Sequence, residues 1–248
     1  MIMTAWSLQR GDHGEQPIWL TVVLAALLGQ IGLPGGGFGI GYGCENGVGN
    51  SVKYHKWPAL SQGSNKVTEF IPVARIADML LSPNKEFDYD GQRLKYPDIK
   101  LVYWAGGNPF HHHQDLRRLI DAFTKPECII VNEIWWTSTA RHADIIFPIT
   151  TALERNDIMM TKWEQTASPM HRAIDPIGES KNDYDVFTEL SSRLGCQEQF
   201  TEGRDEEEWL RHLWDQARQQ AGRAGFELPD FDTFWATGPI ELLKPEGS

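Results

Sequence analysis

Cysteine is scarce in this chain. Three stand in 248 residues, Cys44, Cys128 and Cys196, and no two form a CxxC pair. That spacing supports neither an iron–sulfur cluster nor a structural zinc site, and the odd count argues against a disulfide framework. Cys128 opens an apolar run and reads as a core residue. Cys44 sits in a glycine loop and reads as a loop residue rather than a reactive thiol. Basic charge is also short. The formal net charge is −11, so nonspecific attraction to nucleic acid is not expected. The acidic excess gathers at Asp205 to Glu208 and in the tail, which reads as solvated surface. No apolar run reaches the roughly 20 residues that a bilayer span requires. Ile18 to Leu28 is interrupted downstream by Gly29, Gly32 and Pro34 and reads as a buried helix. The opening MIMTAWSLQRGDHGEQ lacks a basic region followed by an apolar core, so no targeting segment is read there. No G-x-S-x-G elbow occurs, and Ser138 and Ser168 have no evident His–Asp partners. No catalytic constellation stands out.

The length suits one large domain or two small ones, and 41% hydrophobic with 23% charged residues fits a globular class. Trp19, Leu20, Val23, Leu24, Leu27 and Leu28 recur at helical spacing, with Pro17 and Glu15 suited to the helix start. The stretch LPGGGFGIGYG, Leu33 to Gly43, contains no G-x-G-x-x-G and follows a helix. Its glycines are expected to permit close backbone packing or unusual dihedrals, not to bind phosphate. Residues 44 to 68 read as a long irregular excursion. Pro72 to Leu81 reads as a short helix with Val73, Ile76, Ala77 and Leu80 on one face. Asn84 to Pro97 reads as a charged loop with a hairpin around Asp90 and Gly91.

An alternation of strands and helices follows. Ile99 to Trp104, Cys128 to Val131 and Ile145 to Phe147 read as buried strands, the last ended by Pro148. Gln114 to Phe123, with Leu116, Leu119, Ile120 and Phe123 inward, and Thr137 to Ala143 read as the intervening helices. This order predicts an α/β, Rossmann-like parallel sheet flanked by helices. Residues 160 to 180 read as irregular. Asn182 to Leu194 and Asp205 to Ala221 read as helices, and the tail PDFDTFWATG as surface packing. The divisions expected are an N-terminal helix and glycine loop over 1–60, the α/β domain over 61–200, and a C-terminal helix with aromatic tail over 201–248.

Polar clusters fall just past the carboxyl end of each of the three strands. They are Gly106 to Asn108 with His111, His112 and His113, then Asn132 and Glu133, then Glu154 to Asp157. Open α/β sheets bind ligands at that edge, so the clusters outline a crevice for a nucleotide-like ligand. The helix starting near Gln114 would offer free N–H groups to phosphate. Asp183 reads by default as a helix cap, although a carboxylate there or at Asp185 could also accept from guanine. The alternative for Glu154 and Arg155 is a purely structural ion pair. The three adjacent histidines are a poor set for one metal ion.

At these residues the chain resembles a known family. AWSLQRGDHGEQ, LAALLGQIGLPGGGFG, WAGGNPFHHHQD, WWTSTARHADIIFP, ERND and NDYDVF resemble the molybdopterin oxidoreductases of the dimethyl sulfoxide, trimethylamine N-oxide and biotin sulfoxide reductase group. The resemblance runs over nearly the whole chain, through FWATG. It implies a partial unit of a larger four-domain molybdoenzyme that holds one molybdenum on two molybdopterin guanine dinucleotides, without iron–sulfur cluster or haem. It implies reduction of S-oxides or N-oxides by oxygen-atom transfer. The earlier part carrying the serine that ligates molybdenum, and the later domain that clasps both pterins, have no counterpart here. Cys44 matches no ligand position of the family.

By the same resemblance Trp6, Ser7 and Arg10 line the cofactor cleft. Asn108 and His112 contact a dinucleotide, and Asn132 and Glu133 approach ribose or guanine. Arg155 and one of Asp183 or Asp185 hold phosphate or guanine, with Asp185 preferred. The implied partners are the missing N- and C-terminal parts of the parent enzyme and a cytochrome-type electron donor, without nucleic acid or membrane span. Exported relatives work in the periplasm, and biotin sulfoxide reductase relatives in the cytoplasm. Two other readings stay open: a standalone nucleotide-binding module without redox activity, and an inactive truncated fragment.

Overall fold

The computed structural model describes residues 1–11, 13–40, 57–160 and 166–242. The chain forms two compact units, Met1–Lys56 with Thr161–Gln165, and Trp57–Met160 with Thr166–Ser248. Cys44 lies outside the described residues.

In the first unit, β1 (Ile2–Thr4) pairs in parallel with β2 (Phe38–Ile40). A tight helical turn at Trp6–Arg10 leads to α1 (Glu15–Leu27), which has Glu15 in its first turn. The stretch read as a glycine loop thus contains a strand. Its glycines serve backbone geometry: a Cβ on Gly36 would stand 2.3 Å from the Gln30 carbonyl oxygen. The expectation of a buried helix at Ile18 to Leu28 is not met. Trp19 is 65% and Leu27 79% exposed, Leu20, Leu24 and Leu28 are also exposed, and within α1 only Thr21 and Ala25 are buried. The physical reason is scale. A helix apolar on most sides belongs inside a larger core, and two three-residue strands supply none.

The second unit contains the parallel sheet. Its helix α2 (Ile76–Leu81) precedes a hairpin of β3 (Glu86–Tyr89) and β4 (Gln92–Lys95), turning at Asp90 and Gly91 as expected. The strands β5 (Leu101–Ala105), β6 (Cys128–Glu133) and β7 (Ile145–Pro148) pair side by side in the order β5-β6-β7, all parallel. Between β5 and β6 lie α3 (Pro109–His112) and α4 (Leu116–Phe123). Alternation along the strands sorts the two faces. Ile129 and Val131 of β6 are buried with Leu119, Ala122 and Phe123 of α4 and Leu80 of α2. Ile130, together with Leu101 and Tyr103 of β5, faces Val186 and Leu190 of α5 (Asp183–Arg193). Helices therefore cover both faces.

Of the three, only the central strand has fully buried side chains, at Ile129, Val131 and Asn132, which corrects the reading of three buried strands. Ile145 and Phe147 of β7 and Leu101 of β5 are exposed, because each strand of a three-stranded sheet except the middle one is an edge. Leu116 and Ile120 are likewise exposed, and Leu119 and Phe123 alone of the four face inward. The connection at Thr137 to Ala143 shortens to a single 3₁₀ turn, Ala140–His142.

A second layer surrounds α7 (Glu206–Arg223), which follows α6 (Gln197–Thr201). Asp205 caps α7 by accepting from the Glu208 N–H, while Glu208 accepts in return from the Asp205 N–H, a reciprocal capping box. The stretch 160–180 was expected to be irregular but contains β9 (Thr166–Met170), antiparallel both to β8 (Asp157–Met159) and to β10 (Ile240–Glu241). TASPM shows no apolar alternation, and one of its partners lies some 70 residues away, so no local pattern announces it. The aromatic tail is not surface packing. In α8 (Phe231–Thr237), Phe231 and Phe234 are buried, and Phe234 stacks on Trp214 with centroids 3.7 Å apart. Residues three apart share a helix face, which aims both rings at α7. Among the described residues no helix is long and apolar enough to cross a membrane.

Phe234→Ala should destabilise the second unit by about 3–5 kcal/mol, the usual cost of emptying a buried aromatic site. Leu27→Glu, on the exposed side of α1, should change stability by less than about 0.5 kcal/mol. Urea titrations followed by tryptophan fluorescence and by far-ultraviolet circular dichroism compare the two.

Candidate functional site

The carboxyl ends of β5, β6 and β7 lie level, with Ala105 beside Asn132 and Asn132 beside Phe147. The backbone leaves β5 through Gly106 and Gly107, both at positive φ (78° and 75°), where glycine alone is at ease. Asn108 follows, half-buried, and its Oδ1 accepts from the hydroxyl of fully buried Thr139. His112 is exposed at the end of α3. The free N–H groups expected near Gln114 are not available as supposed. The helix starts at Leu116, and the Asp115 carboxylate already accepts from the Arg118 N–H at 3.1 Å. An anion at that cap repels phosphate.

Asn132 ends the sheltered strand and is 3% exposed. Its Oδ1 accepts from the Tyr103 hydroxyl at 2.9 Å, and its Nδ2 donates to Asp183 Oδ1 at 2.7 Å. Burial, and then the Asp183 charge, push the Tyr103 phenol above its ordinary range. Asp183 is therefore not the helix cap. Asn182 is, accepting from the Tyr184 N–H while its Nδ2 donates to Glu206 at 2.6 Å. Glu133 turns inward on its own loop: it accepts from the Ile134 N–H and from the Thr137 hydroxyl, each at 2.9 Å. The loop so held carries Trp135 and Trp136 outward, 69% and 72% exposed.

Past β7 the chain is stitched to the start of α5. Ile149 bridges Lys181, and the Thr150 N–H donates to the Lys181 carbonyl at 3.0 Å. Glu154 is buried and accepts from the N–H groups of Thr151 (2.7 Å) and Ile177 (2.8 Å). It is not an ion partner of Arg155. Arg155 donates to the Thr150 carbonyl at 3.2 Å and pairs with Asp157 at 3.3 Å. Arg155 and the exposed carboxylate of Asp185 line one 290 Å³ pocket, with Asn156, Arg172, Lys181 and Asn182 around it.

The second unit thus connects Asn132 to Asp183 directly, sets Arg155 and Asp185 around one pocket, and seats Asn108 on Thr139 beyond the neighbouring strand end. Glu133 is adjacent to Asn132 but engaged with its own turn. Trp6, Ser7 and Arg10 share the turn Trp6–Arg10 of the first unit. Sequence reasoning missed Tyr103, Thr139, Arg172, Lys181 and Asn182. Of these only Asn182 carried a local signal, an amide immediately before a helix. The rest depend on which loop meets which.

A pocket of 290 Å³ is at the small end of ligand cavities, which run about 300–1,000 Å³. Its side chains offer guanidinium donors for an anion and a carboxylate acceptor for N–H groups.

A family model described as molybdopterin oxidoreductase matches residues 1–193. The biotin sulfoxide reductase of Cereibacter sphaeroides is 53% identical over 96% of this chain and 32% of that protein. The dimethyl sulfoxide/trimethylamine N-oxide reductase of Rhodobacter capsulatus is 44% identical over 100% of this chain and 32% of that protein. The trimethylamine-N-oxide reductase of Haemophilus influenzae is 47% identical over 95% and 30%. The chain thus spans about a third of the length of the curated relatives it matches. Among solved structures, acetylene hydratase from Pelobacter acetylenicus superposes at TM-score 0.46 with 18% identity, over 60% of this chain and 19% of that one, too slight a likeness to carry an argument.

The Glu154 carboxyl is held below the usual carboxylate range, first by the Thr151 N–H and then by that of Ile177. A carboxyl lowered by folding adds stability above its unfolded pKa and loses it as pH falls through the folded value. Glu154→Gln should therefore melt below the unsubstituted chain at pH 7, with the gap closing as pH falls below the carboxylate range. Calorimetric Tm series from pH 7 downward check this; a gap that widens on acidification contradicts it.

Proposed function

The chain belongs to the molybdopterin oxidoreductase family, and on that premise we propose that its second unit seats the nucleotide end of a molybdopterin guanine dinucleotide. The observation that carries the proposal is the pocket lined jointly by Arg155 and Asp185, beside the Asn132–Asp183 pair at the strand ends. Arg155 holds phosphate. Asp185 accepts from the ring N–H and amino group of guanine, and Asp183 is kept for Asn132. Asn108 and His112 flank the dinucleotide beyond β5. Asn132 and Glu133 shape the ribose side, Glu133 through the turn it holds. Trp6, Ser7 and Arg10 line the cleft in the intact enzyme. The divisions proposed are an N-terminal helix and glycine loop over 1–60, the dinucleotide-binding α/β domain over 61–200 and a C-terminal helix with aromatic tail over 201–248.

The cofactor proposed is molybdenum carried by two such dinucleotides, with neither iron–sulfur cluster nor haem. Bound, it supplies oxygen-atom transfer, by which an S-oxide or amine N-oxide, two electrons and two protons yield the sulfide or amine and water. The protein's part is to bind and orient the group and tune it electrostatically. The relatives' names support S-oxide and N-oxide substrates as the class. The remaining parts of a relative-length polypeptide and a cytochrome-type electron donor are the proposed partners. The compartment proposed is the periplasm, with the cytoplasm as the alternative. The exposed apolar side of α1 favours a second reading beside this one, a fragment that completes its core only with complementary segments. Co-expression with those flanks followed by molybdenum analysis tests it: no metal uptake on reconstitution would remove the functional reading.

Isothermal titration calorimetry with GDP and ADP tests the nucleotide seat directly. The chain should prefer GDP, and Asp185→Asn should reduce that preference about tenfold, the worth of a hydrogen-bond contact to a charged group. Equal affinity for GDP and ADP in the unsubstituted chain would count decisively against the seat.

A further inference from the structure

Resting on that reading, we infer that Arg172 is a second guanidinium for the diphosphate, working beside Arg155 in the same pocket. Arg172 is held in place chiefly by its main chain. Its N–H donates to Asn156 Oδ1 at 2.9 Å, and the next N–H, of Ala173, donates to the Leu153 carbonyl at 2.8 Å. The loop bearing Arg172 is thus clipped to the loop bearing Arg155, and both side chains line the pocket.

The pairing of the charged groups shows which of them are open to a ligand. Three of the pocket's carboxylates are already engaged. Glu154 accepts from two backbone N–H groups, Glu206 from Asn182, and Glu207 from Arg211. Lys181 pairs outward with Glu189. The two guanidiniums are held more loosely. Arg155 meets Asp157 at 3.3 Å, and Arg172 meets Asp175 at 3.4 Å, where the Asp175 side chain is 90% exposed. Strong charge-assisted bonds run about 2.7–2.9 Å, so both pairs are long. The exposed Arg172–Asp175 pair contributes little, and phosphate oxygens can displace the Asp175 carboxylate at small cost, while part-buried Arg155 stays anchored by the Thr150 carbonyl as it takes a new partner. Asp185 is the remaining acid of the pocket and lies on α5. This distribution gives the pocket a polarity, with phosphates toward the clipped loops and the base toward the helix.

The test is calorimetry on the full chain with GDP, guanosine and inorganic pyrophosphate, using the unsubstituted chain and Arg172→Ala. Arg172→Ala should weaken GDP and pyrophosphate about tenfold or more and leave guanosine binding unchanged. Retained guanosine binding also shows that the variant folds. Three results overturn the inference: GDP binding unaffected by Arg172→Ala, an equal loss for guanosine, or GDP bound no tighter than guanosine by the unsubstituted chain. The last leaves the base site standing. Failure to bind any of the three removes the nucleotide seat itself, and Arg172's role with it.

Discussion

One buried amide organises the rim. Asn132 stands at the end of the central strand of the parallel sheet and is 3% exposed, and a polar group in that position must be paired or it costs stability. It is paired twice, to Tyr103 on one strand and to Asp183 on the helix beyond. Leaving such a group unsatisfied costs about 1–3 kcal/mol, against about 0–1 kcal/mol for an exposed ion pair. The rim is therefore held by Asn132 and by the buried Glu154, and not by the arginine–aspartate pairs beside them. Fixing the first turn of α5 against the strand end is also what brings Asp185 around to the pocket of Arg155.

The apolar surface tells a complementary story. Among the described residues of the second unit two cores form, one under the parallel sheet and one around Trp214 and Phe234, and α4, α7 and α8, which help close them, carry side-chain N-caps. Among its described residues the first unit has no comparable core, and its main helix leaves large side chains in water. Roughly 25 cal/mol is forgone for each Å² of apolar surface left uncovered, so a helix of this composition is stabilised chiefly by neighbours that cover it. The chain spans about a third of the relatives' length, and both facts support the reading in which its function belongs to a larger assembly.

Much of this was legible in the residues. The alternation of strands and helices between Leu101 and Pro148, the hairpin at Asp90 and Gly91, and the two long C-terminal helices all follow from periodicity, turn residues and caps. The position of the polar clusters past the strand ends was legible for the same reason. The burial of those strands was misread, because a run such as Ile145 to Phe147 looks the same at an edge as in a centre. The helix from Glu15 was misread in the opposite sense: its composition announces a core that the described residues do not provide. Asp183 reads as a cap in the sequence, whereas its neighbour Asn182 does that work, a one-residue ambiguity that only the hydrogen bonds resolve.

By itself, then, the sequence determined the family, the parallel α/β character and the level of the rim, since each is written in local pattern or in motif. Tertiary structure decided the rest. It separated Asp183 from Asp185, returned Glu133 to its own turn, raised Arg172 from an unremarked loop to the wall of a pocket, and put β9 between strands that no local rule connects. The reason is the range of the forces involved. Helix periodicity, capping and turn geometry act over a few residues and leave their mark on neighbours in the chain. Which loop carboxylate faces which guanidinium depends on contacts between segments far apart in sequence, and on the backbone hydrogen bonds that clip them together.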